Sequence, residues 1–112
     1  MRREYSLRRN KEFKYVYRKG RSVSDSYMVL IYVPTKTSHL KVGFSVSRKL
    51  GNSVQRNKIK RRMKEAFFSA LDNVSRNCLL IFTPREKAKH IDYQEIQRSV
   101  LKLLNKAGLI IK

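Results

Sequence analysis

Negative charge is what this chain has least of: 8 Asp and Glu stand against 27 Lys and Arg in 112 residues, a formal charge of +19 with a pI near 10.7. That imbalance exceeds what solubility requires and implies a polyanionic partner. The single cysteine, Cys78, excludes an intramolecular disulfide and a cysteine-based zinc site. No apolar run approaches the length of a membrane span, and the opening MRREYSLRRN lacks the apolar core of a secretory signal. The expectation is a cytoplasmic protein with no membrane partner. At this length there is room for one domain, 1–112, and none for a separate catalytic domain.

The acids are also too scattered for catalysis. Glu4, Glu12, Asp25, Glu65, Asp72, Glu86, Asp92 and Glu95 form no ligand-spaced cluster, and His39 and His90 fall in expected loops. Cys78 lies beside Leu79 and Leu80, the setting of a buried, inert thiol. No catalytic residue, no metal site and no small-molecule substrate is expected of the chain itself. On its own residues it is a binding module.

Against these absences stands the stretch 48–65, RKLGNSVQRNKIKRRMKE, with eight cations and one acid. Gly51 breaks the preceding strand-like run, Asn52 and Gln55 have capping-box spacing, and a helix is expected from about Ser53. Ile59, Met63, Ala66, Phe67, Ala70, Leu71 and Val74 recur as one apolar arc that must face a core. Arg56, Lys60 and Lys64 then occupy one shoulder, Lys58 and Arg62 the other, and Asn57 and Arg61 lie nearly opposite the arc. A solvated helix face normally mixes signs to gain (i, i+4) pairs worth about 0.2 to 0.5 kcal/mol each. Here like charges repeat at that spacing, which favours nucleic-acid binding over a plain solvated face.

Along the chain, residues 1–9 read as a mobile basic arm. Asn10 caps a short helix that carries Phe13, Val16 and Tyr17 on one face and ends at Gly20. Phe13 and Tyr17 read equally well as core anchors or as something more. After a loop RSVSDS, residues 27–33 form a central strand stopped by Pro34, and residues 40–47 a second strand expected to pair antiparallel with it. The small-residue side of that second strand, Gly43, Ser45 and Ser47, suits a packed helix better than a ligand. Residues 78–82 form a third strand ended by Pro84, and a basic loop 85–90 follows. Asp92 caps a last helix with the stripe Ile96, Val100, Leu103, Leu104 and Ala107, stopped by Gly108. The expected fold class is α+β, a small sandwich of helices on a mixed sheet in the order α-β-β-(β)-α-β-α.

At Lys49, Gly51, Asn52, Val54, Arg56, Asn57, Ile59, Lys60, Arg61 and Glu65 the sequence closely resembles the signature of the protein subunit of bacterial ribonuclease P. The resemblance extends over nearly the whole chain, through the aromatic helix ending at Gly20, SVS at 22–24, VGFSVSRK at 42–49 and the strand at 78–82. It departs at Ser53, where alanine is usual, and at Lys64, where arginine is usual; Lys64 keeps the charge and loses a planar fork. The resemblance implies an endoribonuclease holoenzyme in which a catalytic RNA with Mg2+ removes the 5′ leader of precursor tRNA, the protein alone being inactive. It implies an RNA-facing set of Arg48, Lys49, Asn52, Arg56, Asn57, Lys60, Arg61, Arg62 and Lys64, and a leader-binding cleft of Phe13, Tyr17, Ile31 and Ser45. Ile31 stands where an aromatic is often found. A left-handed crossover around the basic helix is implied as well, against the right-handed default. The competing class is a ribosomal or other structural RNA-binding protein, with a DNA-binding helix module behind it.

Overall fold

Two runs of the chain are apolar on both faces, and each becomes an inner strand of one four-stranded sheet. The computed structural model describes residues 3–111. In it β2 (Met28–Pro34) and β4 (Cys78–Pro84) pair antiparallel, with Leu30 opposite Phe82 and Ile31 opposite Ile81. β1 (Arg21–Ser24) flanks β2 antiparallel, and β3 (Lys41–Phe44) flanks β4 in parallel, giving the order β1-β2-β4-β3. Helix α1 (Asn10–Lys19) covers one face; α2 (Ser53–Ser69) and α3 (Tyr93–Lys106) cover the other. This is the α+β architecture with a mixed sheet that the element pattern predicts.

Strand alternation sorts the side chains into two cores. Leu30, Val42, Phe44, Leu80 and Phe82 meet Ile59, Met63, Phe67, Ile96, Val100 and Leu103 beneath α2 and α3. Phe44 stacks on Phe82 at 5.8 Å between ring centroids, and Phe67 closes on Phe82 at 5.9 Å. Each of these buried aromatics contributes about 1.5 to 3 kcal/mol by leaving water. Beneath α1 a smaller cluster joins Leu7, Val16, Val33, Leu79 and Ile81, with Phe13 and Ile31 packed against it.

Four expectations need correction. RSVS is not a loop: Arg21–Ser24 is edge strand β1, and the turn after it is closed by Asp25, whose carboxylate accepts from the amides of Tyr27 and Met28 and from the Ser99 hydroxyl of α3. β3 does not pair with β2. β4 lies between them, because a strand buried on both faces needs two neighbours, and the connection through α2 returns the chain parallel to β3. Residues 1–9 read as a mobile basic arm; residues 1–2 lie outside the described residues, and in the remainder Ser6 bridges Val42, the Leu7 amide donates to Val42 O at 3.0 Å, and Leu7 is buried. This segment thus covers the open edge of β3. The 85–90 stretch is also ordered, with Glu86–His90 a 3₁₀ turn pinned by buried Ala88.

Candidate nucleic-acid interface

The α2 surface is built by its N-terminal cap. The Asn52 side chain accepts from the Gln55 amide at 2.9 Å and the Gln55 side chain accepts from the Asn52 amide at 2.9 Å, which satisfies two orphan donors and starts the helix at Ser53. Gly51 is required beside this box: its φ is 121°, and a β-carbon there would stand 1.9 Å from Gln55 Oε1. Just upstream, the Ser47 hydroxyl accepts from the Lys49 amide at 3.2 Å and fixes a 3₁₀ turn, Arg48–Leu50. Leu50 is buried, while Arg48 and Lys49 point outward.

Ile59, Met63, Ala66 and Phe67 are buried as the apolar arc predicts. Arg56, Lys60, Arg62 and Lys64 are half-buried on the two shoulders, whereas Asn57, Lys58 and Arg61 are exposed. Among the described residues the ion pair is Arg98 with Glu95 on α3, so no α2 cation is neutralised. Burial pushes the Lys64 ammonium below its ordinary value, and the charge of Lys60 pushes it the same way. The Nε of Arg56 is buried without an acceptor, and its guanidinium reaches only Ser53 Oγ, at 3.5 Å. An unpaired buried donor costs about 1 to 3 kcal/mol. The repulsion between Lys60 and Lys64 is a further cost, one that an added anion would relieve.

The second surface lies on the other face of the sheet. Registers place Ser22, Ile31, Ile81 and Gly43 in one row across the strands, and Ser24, Val29 and Thr83 in the next, with Ser45 continuing it where its amide donates to Phe82 O at 3.0 Å. The first row is closed at Ile81 and Gly43, both buried. In the second, Ser24 is exposed and Val29, Thr83 and Ser45 are half-buried, an open strip along the sheet. With Val16 facing the sheet, about 100° per residue sends Phe13 and Tyr17 to one flank of α1 and Glu12 and Tyr15 to the other. Glu12 and Tyr15 share a hollow with Leu79, near the start of β4. The Phe13 and Tyr17 flank therefore faces the Thr83 end, over the open strip.

Each residue expected in the cleft reaches this face, in different states. Phe13 is half-buried against Gly43 and Tyr17 is 48% exposed, so Phe13 is in part a core residue and Tyr17 is free to stack. Ile31 packs at the rim of the smaller core. Val29, Thr83 and Ser24 line the same open strip, though the sequence does not single them out. The period of β2 puts Val29 on the side of Ile31, but Thr83 and Ser24 are brought beside it only by strand pairing.

These features recur in proteins of known family. The ribonuclease P family model matches residues 1–108. The ribonuclease P protein component of Clostridium botulinum (strain 657 / Type Ba4) is 40% identical over 108 residues, covering 96% of this chain and 97% of the relative. That of Staphylococcus carnosus (strain TM300) is 40% identical over 114 residues, covering 100% and 97%. The solved RNase P protein of Staphylococcus aureus superposes with a TM-score of 0.87 at 34% identity, covering 95% of this chain and 97% of that one. The one from Thermotoga maritima gives 0.83 at 25% identity, covering 90% and 96%. A ribosomal or other structural RNA-binding protein is not favoured by these matches. With the capped basic helix and the mixed sheet in place, the chain belongs to the ribonuclease P protein family.

Proposed function

We propose that this chain works as the protein component of a ribonuclease P holoenzyme, binding the catalytic RNA through α2 and the 5′ leader of precursor tRNA through the strip beside α1. The observation that carries this is one of continuity. The open strip ends at Ser45, and the basic surface begins three residues later at Arg48, so a single strand lying along the sheet is delivered to the cations. Arg48, Lys49, Arg56, Lys60, Arg61, Arg62 and Lys64 neutralise phosphates, and Asn52 and Asn57 supply polar contacts. Tyr17 and Phe13 offer aromatic faces to unstacked bases, with Val29, Ile31, Thr83 and Ser45 as the floor.

Cleavage chemistry is assigned to the RNA. We read the Mg2+ that cleavage needs as bound mainly by the RNA. Among the described residues no helix is long and apolar enough to cross a membrane; we place the holoenzyme in the cytoplasm with its tRNA substrates. The test is reconstitution. Purified chain added to a ribonuclease P RNA at low magnesium is expected to restore cleavage of precursor tRNA, with no cleavage by the protein alone. No stimulation with any such RNA, or RNA-independent activity lost on mutating a carboxylate, would overturn the reading.

A further inference from the structure

Cations also converge beside the helix surface, in a place free of carboxylates. A hollow of about 280 Å³ opens between the first turns of α2 and the Glu86–His90 turn, lined by Gln55, Lys58, Ile59, Arg62, Lys89 and His90. Buried Ile59 lies in its lining. Two lysines, an arginine and a histidine come from two separate elements, and no carboxylate lines it. The hollow around Ser6 and Lys41, by contrast, includes Glu4 and Glu12, and the one at Tyr27 includes Asp25 and Glu95. Arg62 is held in place by donating to Ile91 O at 3.4 Å, which leaves further guanidinium donors free. Ala88, 1% exposed, with its amide donating to Arg85 O at 3.0 Å, anchors the turn that carries Lys89 and His90. The hollow is thus shaped by fixed backbone and repels itself electrostatically until an anion enters.

We infer that Lys58, Arg62, Lys89 and His90 form a phosphate pocket that takes a backbone phosphodiester of the catalytic RNA, extending the interface off α2 onto the 86–90 turn. The inference rests on the ribonuclease P reading for the identity of the RNA. The catalytic RNA is the source because the 86–90 turn packs against the Arg48–Leu50 turn, making the pocket continuous with Arg48 and Lys49. The leader strip runs on the α1 face of the sheet and meets the basic surface only at its Ser45–Arg48 end, whereas the pocket opens on α2, on the other face. Gln55 and the imidazole of His90 add hydrogen bonding to the charge of the two lysines and the arginine.

The test uses the double variant Lys89→Ala/His90→Ala, both positions being exposed, with Lys36→Ala in the β2–β3 loop as a charge-matched control. In one arm pyrophosphate is titrated into the free protein while the His90 ring signals are followed by NMR. A saturable shift that Lys89→Ala abolishes is expected, and this arm needs no RNA. In the other arm, affinity for the catalytic RNA is measured against salt. The double variant should bind roughly tenfold more weakly, with a log–log salt slope shallower by about one, while Lys36→Ala changes neither. Equal losses in variant and control, an unsaturable titration, or a loss confined to precursor tRNA binding by the holoenzyme would each overturn the pocket. If the parent chain fails to restore cleavage, the ribonuclease P reading fails, and the pyrophosphate arm still judges the pocket.

Discussion

The ring of Phe13 lies on Gly43: a β-carbon built there would stand 2.6 Å from Phe13 Cζ and 2.8 Å from Cε1. Glycine at this strand position lets α1 settle on the sheet and fixes where its aromatic flank points. Gly43→Ala must push the ring away or lift the helix, and overpacking of this kind costs about 1 to 3 kcal/mol. A lower melting temperature is expected, with weaker preference for precursor over mature tRNA. Normal melting and normal preference would show that the ring's position is unimportant.

Tyr17 and Phe13 should separate stacking from folding. Tyr17 is 48% exposed, so Tyr17→Ala should melt as the parent does while losing about 1 to 3 kcal/mol of precursor preference if a stacked base is lost. Phe13→Ala removes core contacts as well and should be destabilised. A normally melting Tyr17→Ala that still discriminates as the parent does would remove Tyr17 from the cleft.

Phosphate neutralisation along α2 should set the salt dependence of RNA binding. Arg61 is exposed opposite the buried arc, so Arg61→Ala should leave folding intact and make the log–log slope shallower by roughly one. Unchanged slopes after Arg61→Ala and Lys60→Ala would put the RNA surface elsewhere.

Cys78 should make stability fall in alkaline solution. Burial pushes its thiol from 9.0 up to about 11, outweighing the nearby charge of Arg76, and its Sγ donates to Ser75 O at 3.4 Å. A raised folded-state value means that between 9 and 11 the unfolded chain loses the proton first, so this contribution is absent below 9 and destabilises above it. Denaturant titrations of the parent and Cys78→Ala across pH 8 to 10.5 should diverge in that direction. Thiol alkylation at pH 8 should track unfolding, and rapid labelling of the folded chain would refute the buried, protonated thiol.

The basic helix was legible in the sequence because its determinants are local: Asn52 and Gln55 cap it at three residues' spacing, and its buried arc follows from the helical period. The α+β class, the strands ending at Pro34 and Pro84, and the α3 stripe from Ile96 to Leu104 were legible for the same reason. Pairing was not. That β4 lies between β2 and β3, that RSVS completes an edge, and that Leu7 seals β3 depend on partners dozens of residues away, and short strands carry no mark of their neighbours. The cleft divides the same way. Aromatic spacing on α1 nominated Phe13 and Tyr17, but only the register across four strands set Thr83 between Val29 and Ser45, and only the fold of the 86–90 turn carried Lys89 and His90 to Lys58 and Arg62. Periodicity within an element is written in neighbouring residues, whereas juxtaposition between elements is decided by which apolar faces must bury each other.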